Sequence, residues 1–240
     1  MNHSALLVAI SSLTLGACAG PAAEQTSGQP EVKWIGASSA LQNGDLSSKT
    51  DLKNFSHLPH FYALGPVERM GGEITVFDSM PAVATIQDGK IHVSGSWDQK
   101  PPLLVYSQVA HWHEVKLPDQ VRNLADVEAY VAEAAQDHGI DTSKPFAFRL
   151  HATPTRMQFH VFNMPADAQP GDKPLGSYKT HWEARNETID FLGFYSRSHE
   201  SVFIPKNATT HIHMKSADGA KAGHVDSLDL QPGGLLYLPE

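Results

Sequence analysis

Along most of the chain, apolar and polar positions alternate over short stretches that break at Gly, Pro, Asn or Asp, the pattern of half-buried strands joined by turns. The best-marked segments are Glu73 to Phe77, Lys90 to Val93, Leu103 to Leu117, Phe146 to His151, Met157 to Phe162, Thr188 to Tyr195, Thr210 to Met214 and His224 to Leu230. One segment has helical periodicity instead. Asn123 can cap it, Asp126 stands at its third position, Val127, Tyr130, Val131 and Ala134 share one stripe, and Gly139 ends it. That stripe predicts a helix packed on a sheet. The pattern as a whole predicts an α+β protein, mainly β, with mixed or antiparallel sheets and a few helices. Asp167 to Gly176 carries turn residues throughout and reads either as a loop or as a boundary between two subdomains.

The N-terminal region follows a different pattern. Ala5 to Leu15 is a single apolar run, too short for a bilayer span of about 20 residues and suited to the core of a signal peptide covering residues 1–17. It leads into Leu15-Gly16-Ala17-Cys18, which resembles the bacterial lipoprotein box, in which the cysteine is lipidated and becomes the mature N-terminus. Residues 18–31 are rich in Gly, Pro, Ala, Ser and Gln and read as a tether, so one folded domain is expected over residues 32–240. These assignments imply a bacterial envelope or periplasmic location, with membrane contact only through the lipid.

Composition narrows the chemistry. Lys and Arg number 18 against 26 Asp and Glu, a net charge of −8 without any basic cluster, which excludes the electrostatic footprint of a nucleic-acid binder. The one cysteine excludes an internal disulfide framework and a cysteine-based zinc finger, so a metal would have to be held by nitrogen and oxygen. The 14 histidines outnumber the 6 tyrosines and 4 tryptophans together. Neutral imidazole is the commonest protein ligand for borderline metals.

The histidines are also placed to converge. In Thr210-His211-Ile212-His213-Met214 the two imidazoles share one face of a strand. Asp218-Gly219 is a favoured hairpin turn, and a hairpin centred there sets His213 opposite His224, with His211 on the diagonal. Three histidines with an open fourth position are the usual arrangement of catalytic zinc. Ligand type alone leaves iron, manganese and nickel open, with zinc the default.

From Leu192 onward the chain resembles the C-terminal part of bacterial acetolactate decarboxylases. Their pattern is a hydrophobic-Gly-Phe strand, then His-x-His, then a Gly-His-Val segment, matched here by Gly193-Phe194, His211, His213 and Gly223-His224-Val225. Upstream, Met70-Gly71-Gly72-Glu73-Ile74-Thr75-Val76-Phe77-Asp78 is similar to the family's Gly-Glu-hydrophobic strand, and Phe146 to Arg149 to its next landmark. The resemblance spans roughly residues 60 to 238, and the histidine block is its specific part. It implies zinc-dependent decarboxylation of 2-acetolactate, or a similar 2-hydroxy-3-oxo acid, to acetoin and carbon dioxide. His211, His213 and His224 would be the ligands, and Glu73, near the metal, the general acid/base. A homodimer is compatible with the same reading.

Two positions depart from the family pattern. Where the family has an arginine that meets the substrate carboxylate, counting without gaps gives His160, with Arg156 nearby if the register shifts. The family also continues beyond the Leu-x-Leu-Pro segment with a tail bearing a further active-site glutamate, whereas Leu236-Tyr237-Leu238-Pro239 is followed here by Glu240. The alternative reading is a non-catalytic envelope lipoprotein that binds zinc or a small carboxylate through the same triad. A carrier would expose His211 and Glu73, and an enzyme would bury them. A second His-x-His, His111-Trp112-His113-Glu114, and the pair His57 and His60 are the remaining candidates for metal or substrate contact.

Overall fold

A computed structural model describes Met1 and residues 28–240; the signal-peptide and lipidation assignments, Cys18 included, fall on residues 2–27 and lie outside the described residues. In chain order the strands are β1 (Lys33–Ile35), β2 (Phe61–Pro66), β3 (Gly72–Phe77), β4 (Met80–Gln87), β5 (Lys90–Ser94), β6 (Leu104–Gln108), β7 (Trp112–Lys116), β8 (Phe146–Ala152), β9 (Pro154–Phe162), β10 (Lys179–Ala184), β11 (Ile189–Tyr195), β12 (Thr210–Ser216), β13 (Ala222–Leu230) and β14 (Leu235–Pro239). The α-helices are α1 (Ser38–Gln42) and α2 (Leu124–Asp137). Among the described residues no helix is long and apolar enough to cross a membrane.

The strands form a six-stranded sheet, ordered β1-β6-β2-β3-β4-β5, and an eight-stranded sheet, ordered β10-β9-β13-β12-β11-β8-β14-β7. Every strand pairing is antiparallel. The segment Asp167 to Gly176 joins β9 to β10, which pair with each other, so it is a loop within one sheet.

The expected single strand from Leu103 to Leu117 is two strands in different sheets. β6 lies in the six-stranded sheet and β7 at the edge of the eight-stranded one, with Val109, Ala110 and His111 crossing between them. An unbroken run of that length would extend about 50 Å at the usual rise per residue. Alternation continues through the crossing because it reports burial on one side, not which sheet provides it.

The helix forms as its sequence predicts. Asn123 Oδ1 accepts from the Asp126 amide at 3.0 Å, Asp126 Oδ2 accepts from the Asn123 amide at 3.2 Å, and Gly139 follows the helix at φ +75°. Val127, Val131, Ala134 and Ala135 bury against Phe146, Phe148, Phe191 and Met214, which cover the outer face of the eight-stranded sheet. That face is apolar and closely packed. A Cβ added at Gly193 would stand 2.1 Å from the Phe148 ring, so only glycine lets this aromatic lie across β11.

The inner face looks toward the six-stranded sheet. Tyr62, Leu64 and Val105 of that sheet meet Ala147, Leu192 and Phe194 of the other in one buried cluster. Ala82 and Ala84 meet Val161 and Ala222 in a second. The far side of the six-stranded sheet is closed by Leu52, Phe61, Ile74 and Val76. Alternation along β3 therefore sends Ile74 and Val76 outward and leaves Glu73 and Thr75 facing inward, between the sheets.

Candidate metal centre

Directly paired residues of adjacent antiparallel strands project from the same face of a sheet. Following the pairings across the eight-stranded sheet gives His181 opposite His160, His160 opposite His224, His224 opposite His213, His213 opposite Leu192, Leu192 opposite Arg149, and Arg149 opposite Tyr237. Four neighbouring strands thus contribute a row of imidazoles to one side. The His213–His224 pairing is the one the Asp218-Gly219 hairpin predicts, although the turn is longer than two residues: the Gly219 amide donates to the Ser216 carbonyl at 2.9 Å, and the Ser216 amide to the Lys221 carbonyl at 2.9 Å. A loop lengthened symmetrically keeps the register.

His211 joins from the diagonal. The ring centroids of His211 and His213 lie 5.1 Å apart, those of His211 and His224 4.8 Å, and those of His213 and His224 5.3 Å. One ligating atom from each of these three histidines can be chosen so that all lie within 4.8 Å of one another, the geometry of a group that could hold a metal ion. His160, expected only as a stand-in for an arginine, stands beside them with its ring centroid 4.6 Å from that of His224.

Hydrogen bonds fix which nitrogen of each ring faces inward. His211 Nδ1 lies 2.7 Å from the Phe203 carbonyl and donates to it, leaving Nε2 with its lone pair. His213 Nδ1 lies 3.1 Å from Thr75 Oγ1, and its buried Nε2 has no hydrogen-bond partner. His160 Nδ1 donates to Asp226 Oδ1 at 2.8 Å, so its Nε2 also points inward. His211 Nε2 and His224 Nδ1 meet at 3.1 Å in a hydrogen bond that a cation would replace.

Asp226 reaches His160 because β13 is bulged there. Val225 opposes Phe159 and Ser227 opposes Gln158, which leaves Asp226 as the extra residue between them. Its carboxylate spans His160 and, at 3.2 Å, His181 Nδ1 on the exposed edge. Gly223 allows the close approach of β13 to β9, since a Cβ there would stand 2.6 Å from the His160 carbonyl oxygen.

Glu73 faces this row from β3. Its side chain is 2% exposed; Oε2 lies 3.7 Å from His213 Nε2, and Oε1 lies 3.7 Å from His160 Nε2. Both distances exceed a hydrogen bond, and Glu73 Oε1 has no partner at all. Burial pushes the Glu73 carboxyl well above the usual carboxylate range, opposed by the charge of Lys179. Burial also lowers the histidines: His211 to about 4, His213 and His224 well below their ordinary value, and His160 downward against the pull of Asp226. At Asp226 burial acts to raise the pKa, and the hydrogen bond and charge of His160 outweigh it, so the net shift is downward.

The residues fit a divalent cation. Two buried polar atoms, Glu73 Oε1 and His213 Nε2, lack partners in the same place, and leaving such atoms unpaired typically costs about 1–3 kcal/mol each. The histidines are held neutral, the state in which imidazole ligates. Their outer nitrogens are anchored by a carbonyl, a hydroxyl and a carboxylate, the partners that orient metal-binding histidines.

The cluster lies at the end of a cavity of about 510 Å³ lined by Glu73, His160, His211 and His224 together with Met70, Leu103, Phe162, Phe203, Ile204 and Lys179. His211, at 8% exposure, and Glu73 are both buried, the arrangement expected of a pocket and not of an open carrier. Lys179, Thr75 and Asp226 are the members of the site that the sequence reading did not find.

Other candidates fall elsewhere. Arg156 points to the surface, where its Nε pairs with Glu183 at 2.7 Å, so it does not take the arginine position of the family. His111 and His113 are exposed; the His113 ring lies tilted against that of His138, 4.4 Å between centres, and neither belongs to a potential metal group among the described residues. His57 is exposed, and His60 pairs with Asp78 at 3.0 Å on the surface. Glu240 is exposed and its amide donates to the His111 carbonyl, away from the histidine cavity.

No family model and no curated protein matches this sequence. Solved structures do. A Staphylococcus aureus protein described as similar to alpha-acetolactate decarboxylase superposes with a TM-score of 0.66 at 14% identity over 87% of this chain and 85% of its own. The alpha-acetolactate decarboxylase of Bacillus subtilis strain 168 gives 0.68 at 12% identity over 88% and 86%. The acetolactate decarboxylase of Bacillus subtilis subspecies spizizenii gives 0.69 at 12% identity over 88% and 86%. The chain therefore has the acetolactate decarboxylase fold, mainly β and antiparallel as its sequence predicts.

Proposed function

We propose that this protein is a metal-dependent carboxy-lyase that converts 2-acetolactate, or a similar 2-hydroxy-3-oxo acid, to acetoin or its homologue and carbon dioxide. The observation that carries this reading is the convergence of His211, His213, His224 and the buried carboxyl of Glu73 on the end of a single cavity. A group of ligands without negative charge leaves a bound cation its full acidity. His211, His213 and His224 would hold the ion, and zinc suits the nitrogen set. When bound, the metal supplies a Lewis acid for the negative charge that develops on the ketone oxygen as carbon dioxide leaves.

Glu73, whose carboxyl burial pushes upward, would be the acid that gives a proton to the carbon losing its carboxylate. Replacing a carboxylate by hydrogen consumes one proton per turnover, so a carboxylic acid at this position is in the useful state. His160 holds its Nδ1 proton on Asp226 and offers Nε2 as an acceptor for the substrate hydroxyl. The apolar walls from Phe162, Phe203 and Ile204 exclude water from the carbanionic centre, which limits protonation from bulk solvent.

The test is acetoin formation from racemic 2-acetolactate by the zinc-loaded protein, with His211→Ala as the control for spontaneous decarboxylation. Zinc-dependent acetoin above that control supports the reading, and turnover no faster than the control with stoichiometric zinc bound would refute it. Glu73→Gln is expected to keep the metal and to lower kcat by roughly 10²–10⁴-fold.

A further inference from the structure

The cavity contains a cation for which the fold provides no partner. Lys179 begins β10 opposite Phe162, and the pairing of His181 with His160 two residues on puts all four side chains on the inner face. Lys179 lines the cavity with Nζ 5.6 Å from the centre of the Phe162 ring. Among the described residues its ammonium makes no hydrogen bond and has no carboxylate within 4.0 Å, although its backbone amide donates to the Gly176 carbonyl. Of the two other half-buried lysines, Lys221 is paired with Glu187, and Lys215 lies outside this cavity with Nζ 5.2 Å from the centre of the Phe77 ring. Glu73, His160, His211 and His224 line the same cavity.

The cavity is also larger and more apolar than a small hydroxy-oxo acid requires. At about 510 Å³ it lies within the range, roughly 300–1,000 Å³, that encloses most of a drug-sized ligand. Its walls include the apolar Met70, Leu103, Phe162, Phe203 and Ile204, while Ser38, Gln42 and the exposed Lys206 add polar groups to the lining. An acid with only short substituents would leave those walls wet, and each methylene moved from water onto them is worth about 0.8 kcal/mol, or roughly fourfold in affinity.

We propose that Lys179 is the carboxylate anchor of this cavity and that its preferred ligands are 2-hydroxy acids carrying an apolar chain longer than that of 2-acetolactate. This deepens the reading given above, on which it rests for the 2-hydroxy acid chemistry. His160 is not placed to serve as the anchor, because its Nδ1 is committed to Asp226 at 2.8 Å and its Nε2 faces Glu73 at 3.7 Å. Lys179 offers an ammonium on a flexible stem, and the Phe162 face, 5.6 Å from Nζ to its centre, holds that group against the wall. The acid head would lie between Lys179 and the imidazoles, with its chain along Phe203 and Ile204.

Calorimetric titration of the full-length protein tests this without turnover. The probes are lactate, 2-hydroxyhexanoate and 2-hydroxyoctanoate, with the uncharged octane-1,2-diol as reference. Affinity is expected to rise about fourfold per added methylene. Lys179→Met should weaken every acid by about tenfold or more and leave the diol unchanged, while Lys179→Arg should retain the acids, which separates lost charge from lost structure. Equal affinity of wild type and Lys179→Met for the acids overturns the proposal. So does affinity that is flat or falling with chain length, or no binding of 2-hydroxyoctanoate by the wild type. Acetoin formed by Lys179→Met at the wild-type KM would overturn the anchor alone and leave the decarboxylase reading intact. Absence of acetoin from every variant, with the binding pattern as expected, would overturn the decarboxylase reading alone.

Discussion

The chain carries the motif His-x-His twice in one eight-stranded sheet, and the two copies have opposite fates. His211 and His213 lie on β12, flanked on both sides by hydrogen-bonded strands, and His213 belongs to the row of imidazoles on the inner face. His111 and His113 lie at and beside β7, the outermost strand, where both rings are exposed. Trp112, between the latter two, turns inward instead, donating from Nε1 to Tyr62 Oη at 3.1 Å and stacking near Arg149. The spacing i, i+2 guarantees only that two side chains share a face. What makes a site is the strand's place in the sheet and the identity of the residues in the next strands along the same row.

The largest effect should come from removing one member of the inner pair. His213→Ala is expected to abolish stoichiometric zinc binding, measured by metal analysis after dialysis, whereas His113→Ala should retain one zinc per chain. Retention of tight zinc by His213→Ala would break the comparison.

The next effect concerns pH in the metal-free protein. His211 is lowered from 6.5 to about 4 by burial, so between those values the unfolded chain binds the proton that the folded chain excludes. Stability is therefore full above about pH 6.5 and falls as pH drops toward 4, by about 3 kcal/mol from this one group. His213 and His224 act in the same direction, and Glu73, raised by burial, acts in the opposite one. Thermal melts of apo protein between pH 7 and pH 4 check it, and added zinc should flatten the upper part of the curve. With the opposing carboxyl removed in Glu73→Gln, a melting temperature independent of pH across that range would contradict burial of the row.

A smaller effect is expected one contact further out. Thr75→Val removes the hydroxyl that orients His213 while nearly conserving shape, and should weaken zinc by roughly 10–100-fold without preventing folding. Competition with a chelator of known affinity reads this directly. An unchanged affinity would show that the ring is held by packing alone.

Much of this was legible from the residues. The hairpin arithmetic around Asp218-Gly219 placed His213 opposite His224, because register follows from a local turn and a period of two. The helix was legible for the same reason: Asn123, Asp126 and Gly139 each act within a few residues. The strands that escaped notice, among them β4, β10 and β14, lack a clean alternation. β4 starts with an exposed Met80 and contains Pro81, and β10 is an edge strand whose Lys179, His181 and Glu183 give it a polar face. The site residues that escaped were those whose role depends on another strand. Thr75 is one threonine in an apolar strand, Lys179 one lysine among many, and Asp226 acquires its reach from a bulge that no spacing announces. Leu103 to Leu117 failed for a related reason, since continuous alternation conceals a passage from one sheet to the other.

The parts of the centre also differ in how far apart they begin. His213 and His224 meet across a hairpin, a contact that forms on the timescale of local folding, about microseconds. Thr75 and His213 are separated by 138 residues and meet only when the two sheets close on each other. Contacts of such separation carry the largest loop-closure entropy and form late. An ion held by these residues would therefore be a guest of the finished fold and not its nucleus: the chain would assemble first, and a metal would enter afterwards through the cavity.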